Sequence, residues 1–263
     1  MIKQNRATIL FYFLLILSYI TFSLILVYKK SLYAEISYED RFVEYLGSLF
    51  LLVTGIMICL TAFNQLKKSE RLLGAFLLFA GIVFIITAFE EISWGQRIIG
   101  FETQEKLKII NDQDEFNFHN IDKKFFDRLV EKAVILFVFF STIMLFTKKN
   151  RLWGIKLPDV YLTLAFALIP FYHQYNQVAL DFYHLLYLPI FVIAARGLYT
   201  KRYGEFFVSA FTGIVALALL LVHTTYNHHF PAHNNSANEI RETLFSMTCA
   251  FYALVIYFDK EKL

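Results

Sequence analysis

Charged residues and cysteines are scarce in this chain. Only 18% of its 263 residues are charged, and the formal net charge is +3, which argues against a nucleic-acid partner. The two cysteines, Cys59 and Cys249, lie inside apolar runs, so each is interpreted as a small buried hydrophobe. A disulfide framework or a thiolate site is therefore not expected. The sequence contains neither an internal repeat nor a low-complexity tract.

Apolar residues make up 57% of the chain, including 30 phenylalanines, and they are concentrated in runs of roughly 18–25 residues, the length that crosses a bilayer. The first run lacks a signal-peptide cleavage site and is too long for a signal peptide, so we expect it to be retained. Pro170 and Pro189 lie inside predicted spans, where each is expected to kink its helix. The eight predicted spans are 7–28, 42–63, 72–92, 130–147, 160–178, 183–199, 206–226 and 241–258.

Basic residues predict the orientation of the spans. Segments 1–6, 67–71, 148–159, 196–205 and 259–262 hold 14 of the 25 basic residues but only five of the 22 acids, a formal charge of +9. The other 11 bases and 17 acids give −6. By the positive-inside rule those five segments are cytoplasmic. The prediction is an all-α, polytopic membrane helix bundle, residues 1–263 as one transmembrane domain with about eight spans. Both termini are cytoplasmic, and an outer-face loop or re-entrant segment covers about 93–129.

All seven histidines fall on the predicted outer side, although they played no part in the orientation. Other polar clusters lie on the same side. An ionisable residue at membrane depth marks function by default. We therefore expect the functional site at the outer face.

Two adjacent carboxylates, Glu90 and Glu91, end the third predicted span. On a continuing helix, Glu90, Trp94 and Arg97 share one face at i, i+4 and i+7, while Glu91 points about 100° away. One carboxylate can then pair with Arg97 while the other faces a site. We predict Glu90, Glu91 and Arg97 as catalytic, with Gln96 and Trp94 binding substrate. The alternative is a helix end that surfaces into water.

A second polar segment alternates with period two. The odd positions from 111 to 119 carry an amide, a carboxylate or an imidazole, and in an extended chain they project to one side. An EF-hand is not predicted, because the sixth position of that loop is not glycine. We predict His119 as a further catalytic residue. The substrate-binding wall would consist of Asn111, Gln113, Glu115 and Asn117.

Two imidazoles and a carboxylate stand around the turn between spans five and six: His173, Asp181 and His184. Together with His223, at the end of span seven, they suit a divalent metal such as zinc. A hydrogen-bonded network without metal, in which one histidine is a general base, explains the same residues. The sequence leaves both alternatives open.

Residues 39–120 resemble a family of uncharacterised bacterial multi-pass membrane proteins. The resemblance rests on Glu39-Asp40 with Glu44, on the E-E-x-S-W-G-Q-R motif at 90–97, and on the N-x-Q-x-E-x-N-x-H-N motif at 111–120. Arg41 and Gln104 stand where the family pattern has glycine and proline. The resemblance implies a shared site in the bacterial plasma membrane and no particular reaction. The outer-face groups are also similar in kind, though not in spacing, to zinc-dependent membrane hydrolases related to alkaline ceramidases.

These features favour a membrane-embedded hydrolase or transferase, with or without a metal, that acts on a lipid or lipid-linked substrate at the outer leaflet. A transporter or channel is the first alternative, but the inner halves of the spans look almost wholly apolar. A sensor or assembly subunit that binds a ligand or partner at the outer face is the second. No nucleic acid is expected, and the sequence does not indicate an oligomeric state.

Overall fold

The computed structural model describes residues 6–37, 41–67, 70–100, 102, 123–147, 149–172, 184–226 and 236–259. Within these ranges the chain is almost entirely helical. In chain order the elements are α1 (Arg6–Tyr28), α2 (Lys30–Ser37), α3 (Phe42–Lys67), α4 (Arg71–Glu91), a 3-10 turn (Ser93–Gly95), α5 (Gln96–Ile99), α6 (Lys123–Met144), β1 (Arg151–Leu152), β2 (Ile155–Lys156), α7 (Val160–Leu168) extended by a 3-10 turn (Ile169–Phe171), a 3-10 turn (His184–Leu186) that leads into α8 (Tyr187–Tyr199), α9 (Tyr203–Tyr226) and α10 (Ser236–Tyr257).

Five of these helices are long and apolar enough to cross a membrane: α1, α3, α4, α9 and residues Ala237–Tyr257 of α10. Their outward surfaces are apolar as well. On α4, Leu72 is 87% exposed, Phe76 66% and Phe79 67%, which suits contact with lipid chains. The helical class of the fold and a multi-pass integral membrane protein are thus supported.

The three remaining predicted spans look different. Residues Val160–Phe171 and His184–Tyr199 form apolar helices that are shorter than a full span. Predicted span 130–147 falls in α6, which is not among the five spanning helices. This helix begins at Lys123 with charged residues, inside the segment that was assigned to the outer-face loop. A total of eight spans therefore stays a prediction.

The two prolines behave differently from each other. Pro170 lies in the 3-10 turn where α7 ends, so it terminates regular helix instead of kinking a longer one within the described residues. Pro189 is the third residue of α8. In the first turn of a helix the missing N–H has no intrahelical acceptor to lose. The expectation that Pro189 kinks the interior of a span is wrong, because the α-helix begins only two residues before it.

Helix α7 is the centre of the bundle. Every residue from Val160 to Phe171 is buried, and α7 packs against α1, α6, α9 and α10. Helices α3 and α4 form a close pair beside α10, outside this central group. The core is therefore organised around a short helix that has no lipid-facing side.

Contacts between helix ends define two ends of the bundle. At the basic end, three polar contacts lie within or next to the segments that the sequence places on the cytoplasmic side: Thr8 Oγ1 to Asp159 Oδ2 at 2.5 Å, Arg151 Nη2 to Asp259 Oδ2 at 2.5 Å, and Arg196 Nη1 to Glu205 Oε2 at 2.5 Å.

The opposite end, which we call the histidine end, is joined in the same way. The Ser48 hydroxyl donates to the Ala88 carbonyl at 2.7 Å, and the Thr243 hydroxyl donates to the Val43 carbonyl at 2.8 Å. These bonds place the start of α3 beside the end of α4 and the start of α10. Helix α2 packs against α10, and its Lys30 lies over the Tyr226 ring near the end of α9, so the carboxylates at the end of α4 lie at the same end of the bundle as His223.

Candidate functional site

A group of buried aromatic side chains surrounds the end of α7. The tyrosine–histidine cluster consists of Tyr19 on α1, Tyr33 on α2, Tyr172 just after α7, and His223 on α9. All four are at most 1% exposed. The Tyr33 and Tyr172 hydroxyls lie 3.1 Å apart. The Tyr172 ring meets the His223 ring edge-on with centroids 4.2 Å apart. The centroid of the Tyr19 ring lies 5.7 Å from that of Tyr172.

The cluster lies at the end of a helix that is too short to cross a bilayer. Its 12 residues with the following 3-10 turn extend about 18 Å, whereas the apolar core of a bilayer is about 30 Å thick. Tyr172 leaves the helix with φ −94° and ψ 89°. Tyr19 lies nine residues, or about 13 Å, before the end of α1. Irregular backbone at such depth is tolerated where protein buries it or where it lines a wet cavity.

The cluster presents hydroxyl donors in an apolar setting. Burial raises the pKa of the Tyr33 hydroxyl, and the hydrogen bond with Tyr172 offsets this only in part, so the phenol stays neutral and can donate. The Tyr19 hydroxyl is buried and has no hydrogen-bond partner within the described ranges. Arg241 lies near the start of α10, which the Thr243–Val43 hydrogen bond places at this end of the bundle. Neutral donors beside a guanidinium suit an anionic group such as a phosphate.

Glu90 has a different partner. It is buried, and its Oε1 accepts a 2.5 Å hydrogen bond from the Trp94 indole N–H. The indole also stacks on Phe89 with ring centroids 5.7 Å apart. A buried carboxyl group held by a hydrogen bond from an indole is well placed to act as an acid, a base or a ligand.

The backbone after Glu91 does not continue as a helix. Ser93, Trp94 and Gly95 have φ of 46°, 55° and 77°, so the chain makes a left-handed turn there. The expected i, i+4, i+7 stripe on a continuing helix is therefore wrong. Trp94 still contacts Glu90, because the turn folds the indole back over the helix end.

The other residues of this predicted group are only partly described. Gln96 is buried and Glu91 is half-buried, and both take part in polar interactions. The side chain of Arg97 lies outside the described residues, so its pairing with a carboxylate stays a prediction.

The predicted metal ligands differ in exposure. His223 is fully buried, whereas His184 is exposed and stacks on Tyr187 with ring centroids 6.2 Å apart. Within the described residues no group of three or more His, Cys, Asp or Glu side chains is placed to hold a metal. Two proposed ligands, His173 and Asp181, lie outside those residues, so the zinc site stays a prediction.

Several other predicted site residues also lie outside the described residues. They are His119, Asn111, Gln113, Glu115 and Asn117. The convergence of Glu90 or Glu91 with His119, His173 and His184 on one cavity therefore remains a prediction. Among the predicted residues, the described contacts place His223 against Tyr172, His184 against Tyr187 and Glu90 against Trp94.

Sequence reasoning missed Tyr19, Tyr33, Tyr172 and Arg241. Tyrosine is common near membrane interfaces, and so its presence gave no signal. Arg241 did carry one, because a cation near the start of an apolar helix is costly unless it has a function or a partner.

Comparisons with protein-family models, curated proteins and solved structures find no match for this chain.

Proposed function

We propose that this protein is a membrane-embedded hydrolase or transferase that acts on a lipid or lipid-linked substrate at its histidine end. The observation that carries the proposal is the fully buried contact between Tyr172 and His223 at the broken end of α7. Polar side chains at that depth are costly, and an aromatic cluster that contains an imidazole can both bind and move protons.

The residues take distinct roles in this proposal. Arg241 and the Tyr19 hydroxyl bind the anionic part of a headgroup. His223 accepts the proton of the attacking water or acceptor hydroxyl and returns it to the leaving oxygen, with Tyr172 and Tyr33 orienting the imidazole. The polar wall at 111–117, together with Gln96, binds the remainder of the headgroup.

Glu90 or Glu91, with Arg97 and His119, would supply further acid–base groups. Of the two glutamates, Glu90 is the better candidate for this role, because the Trp94 indole already holds its carboxylate in one orientation. We further propose a plasma-membrane location with eight spans, cytoplasmic termini and an outward-facing site. The resemblance of its 90–97 and 111–120 motifs to a bacterial membrane protein family supports the proposed location.

The test is a lipid assay on purified protein in nanodiscs. Incubation with a bacterial lipid extract, followed by mass spectrometry, should show one headgroup class consumed. His223→Gln should slow that conversion by about 100-fold or more if the imidazole is the general base. The matched control is Tyr226→Phe, on the same helix but stacked on Lys30, and it should retain the activity. If no lipid changes, or if both variants convert it equally, the catalytic proposal is wrong.

A metal is proposed as the alternative to acid–base chemistry by side chains alone. His173, Asp181, His184 and His223 would hold one divalent ion, zinc first, and the ion would supply a bound hydroxide. Elemental analysis of folded wild-type protein should then show one equivalent, which His173→Ala together with His184→Ala removes. A folded, active protein without stoichiometric metal would leave only the acid–base role.

A transporter is the second candidate, and one observation favours it. The Tyr12 and Thr212 hydroxyls form a buried 2.6 Å hydrogen bond in the half of the bundle towards the basic end. That half is thus less apolar than the sequence suggested. Tyr12 also lies on the same buried face of α1 as Tyr19. Uptake of a labelled headgroup by proteoliposomes, without its chemical change, would favour this candidate over the enzyme.

A further inference from the structure

Both tryptophans of this chain stand in the same unusual local structure. Each is followed by glycine, and both residues of each pair have positive φ: 55° and 77° for Trp94 and Gly95, 47° and 76° for Trp153 and Gly154. In the second pair these are the two turn residues between β1 and β2. A hairpin turn of this kind prefers asparagine, aspartate or glycine at its first position, because a bulky side chain is strained there.

The surrounding hairpin is fixed to the bundle. Arg151 and Lys156 lie opposite each other on the two strands. Both form ion pairs with Asp259, which follows α10: Arg151 Nη2 lies 2.5 Å and Lys156 Nζ 3.8 Å from its carboxylate oxygens. The Tyr252 hydroxyl donates to the Lys156 carbonyl at 2.8 Å. A strained turn persists only where its surroundings hold it, and these contacts do so.

Trp153 itself contributes nothing to that support. Its side chain is 77% exposed, and it makes no hydrogen bond or ring contact with any residue in the described part of the chain. Trp94, by contrast, is 39% exposed and holds Glu90. A large apolar ring in a strained turn, presented outward on a rigid hairpin, indicates an external binding partner.

The surroundings of the hairpin identify the chemistry of that partner. The hairpin joins the basic end, where the ends of α6, α8 and α10 lie. Exposed aromatic rings are present there, including Tyr199 at 91% and Phe258 at 66%. The exposed Lys149 and Lys201 add positive charge. Aromatic rings beside cations are typical of the membrane–water interface, and cations there attract anionic lipids.

We propose that the Trp153 hairpin is an anchor that inserts its indole among the headgroups of the cytoplasmic leaflet and selects anionic lipids. The indole supplies depth, and the neighbouring cations supply the preference for negative charge. This surface lies at the opposite end of the bundle from the tyrosine–histidine cluster. The proposal therefore stands independently of the proposed enzymatic function.

Tryptophan fluorescence tests the anchor directly. Trp94→Phe leaves Trp153 as the sole indole, since the chain has two tryptophans. In nanodiscs, emission should shift to shorter wavelength and be quenched by lipids brominated near the headgroup, more strongly with phosphatidylglycerol than with phosphatidylcholine alone. If Trp94→Phe does not fold, the difference between wild type and Trp153→Phe gives the same signal.

Three results would overturn the proposal. If the Trp153 indole emits at the wavelength of an indole in water and is not quenched in either lipid, the hairpin is not an anchor. Equal quenching in both lipids would remove the anionic preference. A shift seen only with two copies in one disc, or only after adding soluble protein, would assign the surface to a protein partner.

Trp153→Asn separates anchoring from folding. Asparagine is favoured in this turn, so the hairpin should form. The unfolding temperature in lipid-free detergent should be unchanged or higher. Stabilisation by added phosphatidylglycerol should be lost. Lys149→Gln should weaken the preference for phosphatidylglycerol by about fivefold, the effect of one interfacial charge. Full lipid stabilisation of Trp153→Asn would contradict the anchor.

Discussion

Asp159 shows how one side chain fixes the position of a buried helix. It precedes α7, accepts a hydrogen bond from the Leu162 N–H at 3.0 Å and accepts the Thr8 hydroxyl at 2.5 Å. The first bond caps α7, and the second holds the start of α1 beside it. Burial raises the pKa of the Asp159 carboxyl, against the lowering effect of these hydrogen bonds. The charged form is therefore less favoured in the folded protein than in the unfolded chain.

The pKa direction predicts a pH dependence at this residue. Because the folded pKa lies above the unfolded one, the stability that Asp159 contributes is greatest below the unfolded pKa and is lost as the pH rises through the folded pKa. Asp159→Asn keeps a capping oxygen and does not ionise. Its stability relative to wild type should therefore increase from acidic to neutral pH in denaturation measurements.

Asp159→Ala is the control for the cap. It removes the charge and the hydrogen bonds together, so it should cost about 1 kcal/mol. If Asn and Ala behave alike, or if the advantage of Asn does not depend on pH, the carboxyl is not held in the raised-pKa state described.

At the histidine end of the bundle, the backbone conformation of Trp94 fixes the position of a second side chain, that of Glu90. A positive φ is uncommon for a bulky residue, yet here it returns the indole to Glu90. The local turn and the site are therefore one feature. Substituting either residue of the Trp94-Gly95 pair would disturb both.

At the scale of whole elements, α3 and α4 pack unusually closely. An ideal Cβ built on Gly81 would lie 2.9 Å from the Gly55 carbonyl oxygen and 3.0 Å from the Cys59 nitrogen. Both are backbone atoms, which cannot move aside as the end of a side chain can. Small residues allow this approach between membrane helices, where packing replaces the hydrophobic effect as the driving force.

Gly81→Ala should therefore destabilise the α3–α4 pair. Overpacking typically costs about 1–3 kcal/mol, measured by unfolding in mixed micelles. Gly213→Ala is the matched control, because its added Cβ would meet only Ile190 Cγ2 at 3.7 Å, and alanine is the better helix former by about 1 kcal/mol. It should be neutral or stabilising. Equal losses in both variants would show that the close approach is not what limits Gly81.

At the scale of the whole molecule, the two ends of the bundle differ in chemistry. The basic end is closed by ion pairs, such as Arg196 with Glu205, which are both buried. The histidine end is joined by hydroxyls, imidazole and backbone carbonyls. Buried ion pairs are costly to separate. We therefore expect the basic end to be the more rigid of the two.

The charge distribution predicts which end faces the cytoplasm. Reporter fusions after Lys68, Lys149 and Arg202 should report the cytoplasm, and fusions near Asp112 and Asn235 the opposite compartment. A phosphatase and a fluorescent-protein reporter at the same positions control for expression, since each is active on only one side. A cytoplasmic signal at Asp112 would overturn the predicted orientation and move the proposed site to the other compartment and leaflet.

The membrane class follows from the amino-acid sequence alone. A span requires about 20 apolar residues in succession, and such runs are local, so α1, α3, α4, α9 and α10 were all predicted close to their observed positions. The sequence also placed Glu90 and His223 near helix ends at the same face. It did not determine where α7 ends in the bundle or the left-handed turn after Glu91, because helix ends depend on what packs against them.

Which polar groups meet depends on how the helices pack in the folded molecule. The Tyr33 and Tyr172 hydroxyls are 139 residues apart in sequence, and those of Tyr12 and Thr212 are 200 apart. Their contacts depend on how each helix is rotated and how far it is shifted along its neighbours, and packing of the whole bundle sets both quantities. An apolar run specifies a span, but it leaves rotation and depth open. The cluster around Tyr172 could therefore be identified only in the folded molecule.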